Sequence, residues 1–311
     1  MMRLVSILVP AFNEEESIVE LYKEVDKNLK DVEDVEWELW VVNDGSSDMT
    51  EKVVLELTEK DKRVHLISFR KNFGKSPALQ AGLRHVNGDI IFTMDADLQD
   101  DPVELSNFIK KLDEGYDMVV GWKQKRLDPL EKRIPSKIFN SVTSKIAGFK
   151  LHDFDCGYKC FRREVADSLD IYGELHRYIP VLAYRNGFRI TEMPVHHRER
   201  KHGRSKYGLE RYMRGFLDSL TTAFLLKFSD RPMYFFGRVG VIFSITGFLI
   251  CLIMAIEWFM GYKIGDRPLL LLGVLLIIVG FLSVSTGFVC NLITDQNYRK
   301  NYSEHHIKII K

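Results

Sequence analysis

The strongest constraint in this chain is where its charges are missing. Between Arg238 and Glu257 lie 18 uncharged residues, and between Arg267 and Asp295 another 27. A helix crossing the hydrocarbon core needs about 20 mostly apolar residues. The second stretch qualifies outright, and the first does so once Phe235, Phe236, Trp258 and Phe259 are included. Two transmembrane helices are therefore expected over 235–295. Between them, Gly261 to Pro268 carries only Lys263 and Arg267 as basic residues, whereas most Lys and Arg precede the first span and Arg299, Lys300, Lys308 and Lys311 follow the second. The positive-inside rule then puts both termini on the cytoplasmic side of a plasma membrane. Met1 to Pro10 is a short apolar run broken by proline and does not read as a secretory signal.

Outside those stretches the chain reads as a soluble α/β domain over 1–200, a juxtamembrane amphipathic region over 201–234 and a cytoplasmic tail over 296–311. With 44 Lys plus Arg against 43 Asp plus Glu, the net charge is +1, which removes the global case for nucleic-acid binding. Four cysteines, Cys156, Cys160, Cys251 and Cys290, make neither a disulfide framework nor a zinc ribbon. Cys156 and Cys160 are expected to be buried thiols.

Short apolar runs alternate with helical spacing through the first half of the chain. Leu4–Val9, Leu39–Val42, Val64–Ser68, Asp89–Met94 and Met118–Gly121 read as strands. Glu14–Leu29, Thr50–Lys60, Lys75–His85 and Pro102–Leu112 read as the helices between them. That alternation predicts a parallel sheet covered on both faces, with ligands bound beyond the carboxyl ends of the strands. Three segments sit at that edge. Pro10, Phe12, Asn13 and Glu14 follow the first strand; Asn43, Asp44 and the Ser46–Asp48 loop follow the second; Asp95, Asp97, Gln99 and Pro102 follow the fourth. Capping accounts well for Asp48 and poorly for Asp44, whose carboxylate can accept hydrogen bonds from a nucleobase or ribose. Two carboxylates at i and i+2 leaving a strand repel unless a cation sits with them, and hard oxygen ligands suit Mg2+ or Mn2+. With no Walker loop or GxGxxG in the sequence, metal and side chains must meet any phosphate charge.

Taken together, Val9–Glu15, Asn43–Asp48, Gly74–Lys75 with Ala78–Gly82, and Asp95–Gln99 resemble the GT-A fold of family 2 glycosyltransferases. More narrowly the chain resembles the polyprenyl-phosphate glycosyltransferases, typified by dolichyl-phosphate mannose synthase and its bacterial undecaprenyl-phosphate relatives, which also end in two transmembrane helices. The fold so implied is a Rossmann-like, mostly parallel sheet with interfacial amphipathic helices. The resemblance implies that Pro10, Phe12, Glu14 and Asp44 surround the nucleotide of a GDP- or UDP-sugar. Asp95 and Asp97 hold the metal and diphosphate with help from Gln99. Asn43 departs from the family, where a second Asp is frequent. The segment from Asp153 to Glu164 resembles the acceptor-site segment, and Asp97 together with Asp155 or Asp153 supplies the candidate catalytic carboxylates. Glu174 stands where many family members carry an acidic base, and reads equally as a first-turn acid.

Two basic segments point to the acceptor. Residues 123–137 hold six Lys or Arg, including Arg126 and Arg133, and 198–214 hold seven, including Arg200 and Lys206. Both flank apolar helical faces, Ile134, Ile138, Phe139 and Val142 in one, Leu209, Tyr212, Met213 and Phe216 in the other, a pattern that reads as lying on an anionic membrane surface. The run Arg200–Lys206 resembles the family's basic loop at the acceptor phosphate, so Arg126, Arg133, Arg200 and Lys206 are the expected lipid-phosphate ligands. The implied reaction moves a sugar to polyprenyl phosphate with inversion. A polysaccharide-extending enzyme is the competing reading, but the chain lacks a Gln-x-x-Arg-Trp segment and two spans are few for a channel. A non-catalytic nucleotide-sugar sensor or scaffold would leave the metal carboxylates without work. Gly240, Gly247, Gly273 and Gly280 permit close helix packing within one chain or in a homo-oligomer.

Overall fold

The computed structural model describes residues 2–30, 32–124, 130–198, 221, 224, 227–228, 231–263 and 267–300. The chain divides into two compact units, Met1–Thr222 and Ala223–Glu304. In the first, seven strands form one sheet in the order β3-β2-β1-β4-β6-β5-β7. They are β1 (Arg3–Ala11), β2 (Val35–Asn43), β3 (Val64–Ser68), β4 (Ile90–Thr93), β5 (Met118–Lys123), β6 (Lys159–Arg162) and β7 (Ile190–Val195). The helices are α1 (Ile18–Leu29), α2 (Thr50–Lys60), α3 (Lys75–Leu83), α4 (Leu105–Asp113), α5 (Leu130–Ala147), α6 (Arg163–Asp167) and α7 (Ile179–Arg185).

Strands β1 to β4 pair in parallel, as the alternating pattern requires, and β5 pairs in parallel with β7. The exception is β6, which runs antiparallel to both β4 and β5 and so joins the parallel halves. Val5, Ile7, Leu8 and Val9 of β1 are fully buried, because helices cover both faces of a central strand. Helix α1 buries Ile18, Leu21, Val25 and Leu29 on one stripe, and α4 buries Leu105, Phe108, Ile109 and Leu112. Helix α3 approaches β1 so closely that a Cβ on Gly82 would lie 2.1 Å from Leu8 Cδ1. That approach sets the N-terminus of α3 at the carboxyl edge of the sheet.

The second unit contains α8 (Met233–Phe259) and α9 (Pro268–Lys300), both long and apolar enough to cross a bilayer. Their outer faces leave Ile242, Phe248, Phe281 and Leu292 exposed, as a lipid-facing surface requires. The inner faces meet through glycine. A Cβ on Gly240 would lie 2.6 Å from the Gly280 carbonyl, and one on Gly247 2.5 Å from that of Gly273. The seven-residue spacing is thus used within the chain, where small residues let two backbones touch.

Replacing Gly280 by Ala would put a methyl group 2.3 Å from Ser244 Oγ. The expected cost is about 1–3 kcal/mol, read as a lower melting temperature in detergent. Gly237→Ala, whose Cβ comes no nearer than 3.4 Å to the flexible Met233 side chain, is expected to melt no lower than the parent. Equal melting of the two variants would show that the glycine contact does not hold the helices together.

Candidate active site

The loops after β1 and β2 are laced to each other. Asn13, at φ 58°, accepts the Ser47 N–H at 2.8 Å and donates its own N–H to Ser46 Oγ at 2.9 Å. Glu15 accepts the Met49 N–H at 2.7 Å, and the Glu14 N–H reaches Thr50 Oγ1 at 2.8 Å. Asp48, one residue before the N-cap Met49, accepts the Thr50 N–H at 2.9 Å and so satisfies one first-turn donor of α2, while Asn13 ties the loops. The Glu14 carboxylate takes the Ser17 hydroxyl at 2.6 Å. Phe12 remains exposed beside these bonds, and Pro10 lines the pocket described below. Asn43 is buried and gives its amide to Ser68 Oγ at 3.0 Å.

Asp44 is buried and works on the chain itself. Its two oxygens accept the N–H groups of Phe73 at 2.7 Å and Gly74 at 2.8 Å, fixing the backbone that enters α3. Each oxygen keeps a second lone pair for a ligand. Gly74 adopts φ 96° there, and the next residue, Lys75, directs its ammonium onto the Asp95 carboxylate in a direct ion pair. Burial acts to raise the Asp95 carboxyl, but Lys75, with Lys123 and Lys159 further off, holds it well below the usual carboxylate range.

Asp97 accepts the Gln99 N–H at 3.2 Å across a turn in which Leu98 takes φ 60°. The segment then continues into a buried electrostatic zip. Asp100 Oδ1 lies 3.3 Å from Lys123 Nζ, the Arg198 N–H reaches the Gln99 carbonyl at 2.9 Å, and Asp100 bridges to His197. The Arg198 guanidinium holds Asp101 at 2.7 Å and Glu24 at 2.7 Å. The backbone leaving β7 is thereby fastened to the loop that carries Asp97 and Gln99.

A pocket opens between the end of β4 and the start of β6, lined by Pro10, Lys75, Thr93, Asp95, Asp155, Gly157, Lys159 and His176 among others. The two acceptor-segment carboxylates part company here. Asp155 lines the pocket, 3.8 Å from Arg177 Nη1, whereas Asp153 is 1% exposed. Glu174 also holds Arg177, at 3.2 Å. Lys159 is buried with its ammonium on the Cys156 carbonyl, and burial pushes it down. Burial also pushes the Cys156 thiol up to about 12, which leaves it protonated and inert. Cys160 is fully buried and free, like Cys156.

Lys75, Lys159, His176 and His197 were not assigned roles from sequence, and Arg198, counted there in the basic segment 198–214, instead pairs with Asp101 and Glu24. Inspecting the residues that follow β3 as closely as those after β1, β2 and β4 would have raised Lys75; Lys159 reaches the site through the antiparallel β6, His176 from the turn Leu175–Tyr178 packed on α3, and His197 and Arg198 from just beyond the edge strand β7. Arg126, Arg200 and Lys206 lie outside the described residues, as does the Arg133 side chain.

Among the described residues no three His, Cys, Asp or Glu side chains converge as in an all-protein metal cage. Mg2+-type ions are commonly held by one or two carboxylates with substrate phosphates supplying the rest, a role that Asp95 and Asp97 could fill. Asp95 already carries an ammonium cation, so the position is one that accommodates positive charge.

Residues 6–170 match the glycosyl transferase family 2 domain family. Dodecaprenyl-phosphate galacturonate synthase of Rhizobium johnstonii is 35% identical over 308 residues, covering 97% of this chain and 91% of that protein. Undecaprenyl-phosphate 4-deoxy-4-formamido-L-arabinose transferase of Salmonella choleraesuis is 33% identical over 253 residues, covering 81% of this chain and 76% of that one. Among solved structures, glucosyl-3-phosphoglycerate synthase from Mycobacterium tuberculosis, in complex with Mn2+, uridine-diphosphate and phosphoglyceric acid, matches with a TM-score of 0.55 at 18% identity. It covers 71% of this chain and 78% of that one, a likeness of fold.

A Cβ on Gly157 would fall 2.7 Å from Asp95 Oδ2. Gly157→Ala is therefore expected to displace the carboxylate and weaken binding of Mn2+ with UDP by about tenfold or more, the cost of misplacing a ligand by an ångström. Calorimetry measures this, with an unchanged melting curve as the control. Unaltered affinity would detach Asp95 from the metal.

Proposed function

The chain belongs to glycosyl transferase family 2, and we propose that it transfers a sugar from a GDP- or UDP-sugar to a polyprenyl phosphate, giving a lipid-linked monophosphate sugar. What carries the reading is the pocket that joins the Asp95 carboxylate to Asp155 and Lys159, on a chain that also ends in two bilayer-length helices. Two relatives named for polyprenyl-phosphate transfer, one matched along nearly the whole chain, support the acceptor. Multi-pass insertion with both termini cytoplasmic rests on the distribution of Lys and Arg.

In this reading Pro10, Phe12, Glu14 and Asp44 receive the nucleotide at the laced loops, and Gln99 braces the Asp97 turn. Asp95 and Asp97 would hold Mg2+ or Mn2+, which supplies charge neutralisation at the leaving diphosphate. An oxygen of the lipid phosphate attacks the anomeric carbon in line, and the nucleoside diphosphate departs with inversion. Lys75 and Lys159 add fixed positive charge where negative charge gathers. Asp155, reachable from the pocket, is the acceptor-side carboxylate, and Asp153 supports it from the core. Arg126, Arg133, Arg200 and Lys206 bind the lipid phosphate. Anchoring confines the search for that acceptor to a surface.

The deciding assay is release of nucleoside diphosphate that depends on undecaprenyl phosphate. Release that requires a sugar-hydroxyl acceptor instead would favour polysaccharide extension. Asp97→Asn is expected to lower turnover by about 100-fold or more with folding intact. Glu174→Gln should retain at least about a tenth of parent turnover, since a required general base contributes about 100-fold. An inactive, folded Glu174→Gln beside a normal Asp155→Asn would move the catalytic centre and restore the hydroxyl acceptor.

The basic loop has its own signature. Arg200→Ala and Lys206→Ala are expected to raise KM for polyprenyl phosphate by about tenfold while leaving that for the nucleotide sugar nearly unchanged, because charge-assisted bonds to phosphate act on the acceptor side alone. Steady-state kinetics with each substrate varied in turn measures the split, and equal losses for both would assign these residues to the fold.

A further inference from the structure

One polar edge of the pocket has no task in the reaction as described. His176 lies in the 3-10 turn Leu175–Tyr178, packed against the first turn of α3. There Ser76 is fully buried, accepts the His176 main-chain N–H at 3.1 Å, and has its Oγ 2.8 Å from His176 Nδ1. An Oγ that already takes one N–H can satisfy its own hydrogen on Nδ1, the tautomer in which the ring proton sits on Nε2. Burial, with Lys75 and Arg177 adding like charge, pushes the imidazole down to about 2, so the ring is neutral at physiological pH. With Nδ1 turned to Ser76, Nε2 is the ring nitrogen left for the pocket that His176 lines.

The strand order says what lies within reach of that edge. The nucleotide loops follow β1 and β2, the metal carboxylates follow β4, and the pocket runs from Pro10 at the end of β1 past Asp95 to Asp155 and Lys159 at β6. Along a nucleotide sugar the groups come in the same order: nucleoside, diphosphate, sugar. The other pocket walls carry full charges on Lys75, Asp95, Asp155 and Lys159, which bind many ligands without discriminating finely among sugars. A single neutral donor of fixed direction discriminates, because a site built around a hydrogen bond rejects an analogue that cannot complete it.

Resting on the nucleotide-sugar reading above, we propose that His176 is a specificity-determining residue that donates its Nε2–H to a hydroxyl or carboxylate oxygen of the transferred sugar, with Ser76 as the positioning residue that sets its tautomer.

The test is calorimetric titration of the full chain in detergent with UDP-glucose, UDP-galacturonate, GDP-mannose, UDP and GDP, with no lipid present. The parent is expected to rank the three sugars over at least about tenfold, and His176→Ala to compress that ranking to within about threefold, with UDP and GDP bound within about twofold of the parent. His176→Gln, whose amide can place a donor near the Nε2 position, should recover most of the ranking, and Ser76→Ala should lose part of it. A ranking untouched in His176→Ala, or UDP and GDP weakened as much as the sugars, would overturn the proposal. So would a parent that does not rank the sugars at all. Because the acceptor is absent, a chain that ranks nucleotide sugars yet transfers nothing to undecaprenyl phosphate would count against the acceptor reading and leave His176 judged by the ranking.

Discussion

The ion pair between Lys75 and Asp95 is the interaction on which the rest of the site depends. A carboxylate at the end of a buried strand needs a cation or hydrogen-bond donors beside it, and for Asp95 the cation comes from a different element, the start of α3. Lys75 is there because Asp44 fixes the two N–H groups before it and because Gly82 lets α3 rest on Leu8. Asp44, expected from sequence to serve a nucleobase, thus positions the lysine that meets Asp95. The same device recurs along the edge: Asp100 is matched by Lys123 from β5, and Asp101 by Arg198 beyond β7. Each pair joins segments far apart in sequence, so the site is a product of the whole sheet rather than of one motif.

Local chemistry explains what was legible in the sequence. Strand β3 and helix α2 run over the residues expected of them, β3 as a short run carrying Val64, Leu66 and Ile67 and α2 with Val54 and Leu57 buried at helical spacing. Strand β7 escaped notice because it lies at the sheet edge, alternates with Thr191 and Glu192, and contains Pro194, which a central strand would not tolerate. The position of β6 between β4 and β5 was likewise hidden, because pairing order is a tertiary property. Asp153 and Asp155 cannot be told apart by spacing. They alternate on an irregular segment, and only burial separates the one in the core from the one in the pocket.

The glycines of α8 and α9 show the same limit from the other direction. Their seven-residue spacing announces close packing of helices but not the identity of the partner. In the structure Gly240 meets Gly280 and Gly247 meets Gly273, so the small faces are consumed within the hairpin. A bilayer gives helices little hydrophobic reason to associate, and backbone contact of this kind supplies the van der Waals attraction instead. What remains exposed on the pair is large and apolar, the surface a lipid would solvate.

The commitment of acidic groups to cations also bears on the kind of acceptor the pocket suits. A sugar hydroxyl must lose a proton as it attacks, and needs a carboxylate free to take it. Here Asp155 and Glu174 share Arg177, Asp95 is held by Lys75, and Lys159 brings a further cation to the pocket wall. To act as a base, each of these acids would have to work beside a fixed positive charge. A phosphate monoester, by contrast, has lost its second proton above a pH of about 6 and arrives with the nucleophilic oxygen already charged. What it requires is fixed positive charge and a defined position, and these are what paired cations on rigid elements supply. The arrangement that gathers paired cations at the sheet edge is therefore also one that favours an anionic acceptor over a neutral one.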